Sequence, residues 1–502
     1  MNFNSLQFLI FFPVVTLLYF VIPRKVRWIW LLVTSYYFYM GWNPRYAVLI
    51  ATSTVLTYLS GLLIDRENRK SVNPHAERNK KMWVALSFLL NLAILFFFKY
   101  WGFFTSNVIA LGGALGVTIT MPAFDVLLPV GISFYTFQAL SYTMDVYRGE
   151  IYAEKNLFKY ALFVSFFPQL VAGPIERSKN LLVQVNQPHD FDADRARDGL
   201  LLMLWGFFQK VVIADRIATL INQVYNNWQE VAGISIVLAT VLFAVQIYCD
   251  FGGYSSIAIG AAQVLGFSLM ENFRQPYLSL SCSEFWRRWH ISLSSWFRDY
   301  LYIPLGGNRK GRWRKYFNNL VTFSVSGLWH GAQWSYVAWG GLNGLYQVIG
   351  DILKPARLKV LNALHIDRET RVWRAVRIVM TFCFIDLAWL FFRAPSFMTG
   401  VRMIHRVLRN LYASSLFIPG PDGSLGLYTL GLDAAEFWLA VVAIIVLAIV
   451  DMVKEKHPIR PMVTALPTVP RWIFYLVSVY VILIFGAYGP GFDASSFIYF
   501  QF

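Results

Sequence analysis

The sequence has few charged residues and few cysteines. Charged residues make up 14% of the 502 residues and hydrophobic residues 57%, whereas about a quarter of a soluble domain is charged. This balance excludes a soluble globular protein and predicts an integral membrane protein. The three cysteines, Cys249, Cys282 and Cys383, are far apart and form no CxxC pair, which excludes a disulfide framework and a cysteine zinc site.

Several well-known catalytic motifs are also absent. The sequence contains no GxGxxG, no P-loop lysine, no HExxH and no GxSxG. These patterns mark dinucleotide-binding proteins, P-loop ATPases, zinc proteases and serine esterases. We therefore expect no metal ion and no permanently bound cofactor.

Long apolar runs predict an all-α, polytopic transmembrane protein. A straight span needs about 20 apolar residues, and several runs are shorter, so some helices should be short, broken or re-entrant. Residues 6–22 lack the flanks of a signal peptide and predict a first span. No repeat or linker occurs, so residues 1–502 are predicted to form one domain. The runs lie at about 6–22, 29–41, 46–64, 82–104, 127–144, 157–173, 199–223, 232–250, 254–270, 318–350, 377–392, 437–450 and 472–489.

The basic residues predict topology. Although the net charge is +16, Lys and Arg cluster between apolar runs, as in cytoplasmic loops, so nucleic acid is not an expected partner, whereas membrane lipids are. Cytoplasmic segments are marked by Arg24, Lys25 and Arg27, by residues 65–81, and by Lys454, Lys456 and Arg460. One span follows the last segment, so residues 497–502 should be extracytoplasmic. The arginine-rich segment 393–409 conflicts with this count unless it is an amphipathic helix in the interface.

Two of the seven histidines differ from the others in their surroundings. His75, His189, His365, His405 and His457 lie in charged or polar segments and are expected to be solvated surface residues. His330 lies in the apolar, glycine-rich run "FSVSGLWHGAQWSYVAWGGLNGLY". An ionisable group at membrane depth indicates function, and burial favours the neutral imidazole that a general base requires. A structural hydrogen bond to a backbone carbonyl is the alternative.

The glycines around His330, namely Gly327, Gly331, Gly340 and Gly341, are expected to allow close helix packing.

His290 lies in a polar and basic patch. The segment "EFWRRWHISLSSWFRDYLYIPLGG" is followed by the basic residues of 306–315. Arg287, Arg288, Arg298 and Asn308 are candidate contacts for the phosphates of an anionic donor, although anionic lipid head groups are an alternative. His290 is expected either to orient a reactant or to be structural. Asp145 and Asp250, at the ends of apolar runs, are candidates to line a pathway or to pair with an arginine.

Three segments resemble the membrane-bound O-acyltransferases, and more narrowly the bacterial alginate and peptidoglycan O-acetylases and the teichoic-acid D-alanylation transferases. They are "FFPQLVAGPIERSKNLLVQ", "FWRRWHISLSSWFRDYLYIPLGGNR" and "SGLWHGAQWSYVAWGGLNG". The resemblance implies a helical ring with a central tunnel, in which His330 is the catalytic histidine and His290 the second family histidine.

The resemblance also implies a function in the bacterial plasma membrane. The enzyme would move an acyl group, acetyl by preference, from a cytoplasmic thioester such as acetyl-CoA to an extracytoplasmic acceptor. The acceptor would be a polysaccharide or a partner of the SGNH type. Two alternatives stay open, namely a D-alanyl transferase that uses a carrier-protein thioester and a lipid or polysaccharide transporter. A transporter would be expected to show two related halves, which this sequence lacks.

The last residues, "FIYFQF", suggest a further step. This tail resembles the C-terminus of the small membrane protein that accompanies the D-alanylation transferase. A phenol, with a pKa of about 10, would form a more reactive ester than an alkanol. Tyr499 is therefore a candidate acyl carrier, and a plain interfacial anchor is the alternative.

Overall fold

The computed structural model describes residues 1–69, 75–122, 124, 128–411 and 432–488. Within these ranges the chain is helical and has no strand, so the predicted all-α class is confirmed. Six helical stretches in the same ranges are long and apolar enough to cross a membrane: Tyr46–Arg69, Ala76–Ala114, Gly233–Val264, Arg371–Arg393, Ala434–Lys454 and Thr468–Phe485. Leu6–Val21 is a shorter apolar helix.

The chain divides into two compact units. The first comprises Met1–Met203 and Ser255–Met270, and the second comprises Leu204–Tyr254 and the described part of Glu271–Phe502. That residues 1–502 act as one domain stays a prediction.

The first unit is built around buried aromatic residues. The Tyr160 hydroxyl donates to Thr57 Oγ1 at 2.7 Å, and the Tyr160 ring packs 4.3 Å from that of Tyr142. Asn156 caps the helix that carries Tyr160 by accepting from two backbone N–H groups, as N-cap residues do. The helices that begin in this unit are α1 (Leu6–Val21), α2 (Arg27–Met40), α3 (Tyr46–Arg69), α4 (Ala76–Leu95), α5 (Trp101–Ala114), α6 (Ile132–Tyr147), α7 (Leu157–Ser165), α8 (Val183–Val185) and α9 (Ala193–Phe207).

The second unit has its own apolar core, which includes the buried rings of Trp289, Trp339 and Trp389. This unit also contains two short helices, α12 (Cys282–Arg288) and α13 (Ile291–Phe297), which lie outside the apolar runs identified in the sequence. Ser281 caps α12 by accepting from Glu284 N–H, while the Glu284 carboxylate accepts from Leu280 N–H. The helices that begin in this unit are α10 (Asp215–Asn226), α11 (Gly233–Val264), α12 (Cys282–Arg288), α13 (Ile291–Phe297), α14 (Arg312–His330), α15 (Trp334–Ile352), α16 (Lys354–Ala363), α17 (Arg371–Arg393), α18 (Phe397–Arg409), α19 (Ala434–Lys454), α20 (Ile459–Thr464) and α21 (Thr468–Phe485).

Two predicted run boundaries were wrong. The runs 232–250 and 254–270 form one helix, Gly233–Val264, because the glycine pair at 252 and 253 between them is tolerated within a packed helix. The run 318–350 is divided between α14 and α15. Residues 331–333 between these helices include no proline and no charged side chain, so hydropathy alone does not show the turn.

The helix expected in the arginine-rich segment 393–409 is present as α18. Met403 is buried on one side of it, while Arg402 and Arg409 are exposed. Its amphipathic character is therefore confirmed. By contrast, α21 is apolar and has no buried residue, which is the surface that a helix facing lipid presents.

Candidate active site

His330 is the last residue of α14, and a tightly packed helical hairpin positions it. A Cβ atom added to Gly327 would lie 2.1 Å from the Tyr336 carbonyl oxygen of α15, and one added to Gly340 would lie 2.2 Å from the Phe323 carbonyl oxygen. Both separations are far below any real Cβ contact. The packing role predicted for these glycines is therefore confirmed.

The other two predicted packing glycines differ from each other. A Cβ on Gly331, directly after His330, would lie 2.2 Å from the Tyr336 ring, so no larger residue fits there without a shift. A Cβ on Gly341 would meet only Ser324 Oγ, at 3.9 Å. The expectation that Gly341 allows a close approach of the helices was therefore wrong, because no backbone atom of α14 lies close to the added Cβ.

Aromatic rings surround the His330 side chain, which is only 4% exposed. The ring centroid lies 4.9 Å from that of Trp329, 5.1 Å from that of Trp339 and 5.5 Å from that of Phe392, each in an edge-to-face arrangement. Such walls exclude water and disfavour the charged form of the imidazole. The site therefore suits a neutral histidine that accepts a proton only during a reaction.

His290 lies at the N-terminus of α13 in an unusual backbone conformation. Its φ is +43°, in the left-handed region that a residue with a Cβ rarely occupies. The side chain is 1% exposed, and its ring packs edge-on against Phe251 with the centroids 4.6 Å apart. Burial lowers the pKa of His290, so its imidazole is neutral.

Asn272 determines which ring nitrogen of His290 carries the proton. Its side-chain oxygen lies 3.1 Å from His290 Nδ1 and accepts from both Ser292 N–H, at 3.3 Å, and Ser292 Oγ–H, at 2.9 Å. Because a backbone N–H can only donate, this Asn272 atom is the carbonyl oxygen and an acceptor. His290 Nδ1 therefore carries the proton and Nε2 carries the lone pair.

The structure brings the two predicted histidines together. Their ring centroids are 6.4 Å apart, with an angle of 62° between the planes. Contacts for proton transfer to a bound reactant are about 3 Å long, so two histidine rings this close together are candidates to act on the same reactant.

The basic residues predicted to contact a donor lie in different surroundings. Arg288 pairs with Glu284 at 2.7 Å and with Glu455 at 2.7 Å, so two carboxylates already compensate its charge. Arg287 and Asn308 are exposed. Arg298 is exposed and pairs with the adjacent Asp299 at 2.8 Å. The geometry therefore favours Arg287, Arg298 and Asn308 over Arg288 as contacts for a soluble anion.

A buried ionic cluster that includes Asp250, the neighbour of Phe251, was not predicted. Lys210 Nζ lies 2.7 Å from Asp215 and 2.6 Å from Asp250, and all three residues are buried. Asp250 thus pairs with a lysine, and it directly precedes Phe251, which packs on His290. Lys210 interrupts the apolar run 199–223, a signal that could have indicated this cluster.

The remaining candidates fall elsewhere. Tyr499 and the tail 497–502 lie outside the described residues. Asp145 accepts from the Ser178 hydroxyl at 2.6 Å. Of the five histidines expected at the surface, His75, His365, His405 and His457 are exposed. His189 is partly buried, because its ring packs 4.2 Å from that of Phe267, so that expectation was wrong.

Comparison with known proteins identifies the family. The family model of the membrane-bound O-acyltransferases matches residues 150–392, a range that contains Asn272, His290 and His330. The chain is 38% identical over 404 residues to the probable alginate O-acetylase AlgI of Pseudomonas putida, covering 80% of this chain and 79% of the relative.

The chain belongs to the membrane-bound O-acyltransferase family.

Two further relatives of this O-acyltransferase differ in the activity for which they are named. The chain is 32% identical over 434 residues to the peptidoglycan O-acetyltransferase of Helicobacter pylori, covering 80% of this chain and 79% of that one. It is 30% identical over 291 residues to the teichoic acid D-alanyltransferase of Streptococcus thermophilus, covering 52% and 68%. The protein is thus a multi-pass bacterial membrane enzyme that transfers acyl groups to oxygen, which removes the transporter alternative.

Proposed function

We propose that this O-acyltransferase moves an acetyl group from a cytoplasmic thioester across the membrane to an extracytoplasmic polysaccharide hydroxyl. The buried histidine pair, with ring centroids 6.4 Å apart, carries the proposal, because acyl transfer to a hydroxyl needs a neutral base beside the reacting atoms. The similarity to O-acetylases favours acetyl as the acyl group. Transfer of D-alanine is the second candidate, supported by the teichoic acid relative.

In this mechanism His330 acts as the general base. It removes the proton from the attacking hydroxyl while the oxygen forms a bond to the thioester carbonyl carbon. The carbon–sulfur bond then breaks, and the thiolate leaves and takes the proton back from His330. A thiol pKa of about 8.5 makes the thiolate a good leaving group. The aromatic walls around His330 keep water from competing as the acceptor.

We assign a positioning role to His290. Asn272 holds its Nδ1 proton, so Nε2 can accept a hydrogen bond from a reactant or support the orientation of His330. The acyl donor is a substrate, acetyl-CoA by preference, and not a resident cofactor. Arg287, Arg298 and Asn308 are proposed to contact its phosphates.

The C-terminal tail, residues 497–502, is proposed to take part in the transfer to the acceptor. In this proposal Tyr499 takes the acyl group as a phenyl ester and passes it to the polysaccharide or to a secreted SGNH-type acetyltransferase. Residues 1–502 would then act as one domain that receives the acyl group on one side of the membrane and delivers it on the other.

Substitution of the histidines tests the base assignment. His330→Ala should reduce acetyl transfer about a hundredfold or more, since general base catalysis contributes about 10²–10⁴-fold. His290→Ala should lower turnover severely and spare donor binding. The measurement is transfer of radiolabelled acetyl from acetyl-CoA to cell-surface polysaccharide, normalised to folded protein.

His405→Ala is the matched control, because His405 is exposed on α18, and it should retain activity. A folded His330→Ala protein with full activity would overturn the assignment. Transfer from a D-alanyl carrier protein, without transfer from acetyl-CoA, would decide for the second candidate.

A further inference from the structure

The first unit contains a basic cavity that the histidine site does not use. It has a volume of about 400 Å³ and lies among the start of α2, the start of α7 and residues 185–189. Four of its lining residues, Arg24, Lys25, Arg27 and Lys159, are basic, and none of the described lining residues is acidic. The cavity therefore attracts anions.

Contacts with neutral groups hold two of these cations in place. The Arg27 guanidinium donates to three backbone carbonyl oxygens, at 2.6, 2.9 and 2.9 Å. Lys159 Nζ donates to Asn186 Oδ1 at 2.8 Å. Carbonyl and amide oxygens orient a cation but leave its charge uncompensated. Both side chains are thus preorganised, and their positive charge still acts on the cavity.

The other two cations lie at the cavity mouth. Lys25 is exposed, and Arg24 pairs with Asp190 at 2.8 Å, with both side chains 62% exposed. An ion pair this exposed is weak and exchanges readily with another anion. The mouth can therefore receive a second negative charge.

Apolar side chains form part of the remaining walls and suit an amphiphilic ligand. Leu31, Leu162, Val185 and Phe267 line the cavity beside its cations. The adjacent end of α1 exposes Leu17 and Val21, at 68% and 79%, as a lipid-facing helix does. A ligand with its anionic group among the cations could therefore place apolar chains on the surface of α1.

We propose that this cavity binds the phosphate-bearing headgroup of an anionic phospholipid, with the phosphate between Lys25, Arg27 and Lys159. Arg24, Lys25 and Arg27 follow the first apolar run in a segment predicted to be cytoplasmic, and that leaflet carries the anionic lipids. The phosphates of an acyl-CoA donor are chemically similar. The lipid is favoured because its acyl chains can cover the apolar lining residues and the exposed end of α1. A soluble nucleotide has no such chains.

Native mass spectrometry of the purified full chain tests the proposal. The probes are phosphatidylglycerol, phosphatidylcholine with the same chains, and coenzyme A. The wild type should retain phosphatidylglycerol in clear preference to phosphatidylcholine. The double variant Lys25→Gln/Lys159→Gln should lose about tenfold or more of that preference, since each basic residue near a lipid surface contributes about fivefold.

Arg66→Gln/Arg78→Gln is the matched control. It removes two positive charges from the other basic segment of the same unit and should bind phosphatidylglycerol like the wild type. Equal retention of the two lipids by the wild type, or equal loss in both double variants, would overturn the proposal. Displacement of the lipid by coenzyme A, abolished in Lys25→Gln/Lys159→Gln, would assign the cavity to the donor and also overturn it.

Discussion

At the scale of single residues, Asn272 determines which nitrogen of His290 carries the proton. The side-chain oxygen of Asn272 receives two hydrogen bonds from Ser292 and lies 3.1 Å from His290 Nδ1. The three contacts together hold the ring and the strained backbone of His290 at the start of α13. A change at Asn272 should therefore affect orientation before it affects binding.

We predict that Asn272→Leu lowers kcat about tenfold to a hundredfold while KM for the acyl donor changes little. A misplaced group beside the reacting atoms costs up to about 10²-fold in rate. Asn272→Asp keeps an acceptor oxygen at the same place and should recover most of the activity. Steady-state kinetics at matched amounts of folded protein give both values.

Ser292→Ala is the control for this prediction. It removes one donor to the Asn272 oxygen, leaves the His290 contact in place, and should cost less activity than Asn272→Leu. If Asn272→Leu and Ser292→Ala reduced activity equally, or if Asn272→Asp recovered none of it, the positioning role would be wrong.

The sequence predicts the two histidines better than it predicts their partner. His330 lies in an apolar, glycine-rich run and His290 in a dense polar patch, and both patterns indicate function. Asn272 lies in the mostly polar stretch 271–275, which shows no helical or strand periodicity. Its role arises from tertiary packing that brings it to a residue 18 positions away, which composition and spacing do not encode.

At the scale of helices, the α14–α15 hairpin decides where His330 lies. Gly327 and Gly340 let the two backbones approach so closely that carbonyl oxygens of one helix lie where a Cβ of the other would be. The apolar run 318–350 predicted one long segment, since hydropathy does not show a turn without proline or charge. The glycines themselves did predict close packing.

We predict that Gly340→Ala destabilises the protein by about 1–3 kcal/mol, as overpacking of a buried contact does, and lowers acyl transfer. The added Cβ would lie 2.2 Å from the Phe323 carbonyl oxygen, so the helices must separate and move His330. Thermal unfolding in detergent and transfer assays measure the two effects.

Gly341→Ala is the adjacent matched control. Its Cβ would have its nearest neighbour at 3.9 Å, and alanine favours a helix over glycine by about 1 kcal/mol. Its unfolding temperature should equal or exceed that of the wild type. A Gly340→Ala protein as stable and active as Gly341→Ala would show that the hairpin tolerates a wider separation.

At the scale of the whole molecule, the proposed reaction must cross the membrane. The sequence predicts topology from its basic segments, and the six long apolar helices among the described residues confirm a multi-pass protein. Fewer helices reach spanning length than the sequence has apolar runs, because several runs form short helices such as α7 or are joined in one helix such as α11. Hydropathy measures composition, whereas helix ends depend on turns, caps and packing.

The last prediction concerns Tyr499, which the distribution of basic residues predicts to lie on the side opposite the proposed cytoplasmic thioester. If Tyr499 carries the acyl group, Tyr499→Phe should stop transfer to the polysaccharide, because it removes only the phenol oxygen and keeps the ring. Intact mass analysis of the wild type should then show a C-terminal peptide heavier by one acyl group. Tyr488→Phe is the control, since Tyr488 is 53% exposed and precedes the tail, and it should transfer normally. A Tyr499→Phe enzyme with full activity would leave the tail as an interfacial anchor, with the polysaccharide hydroxyl attacking the thioester directly beside His330.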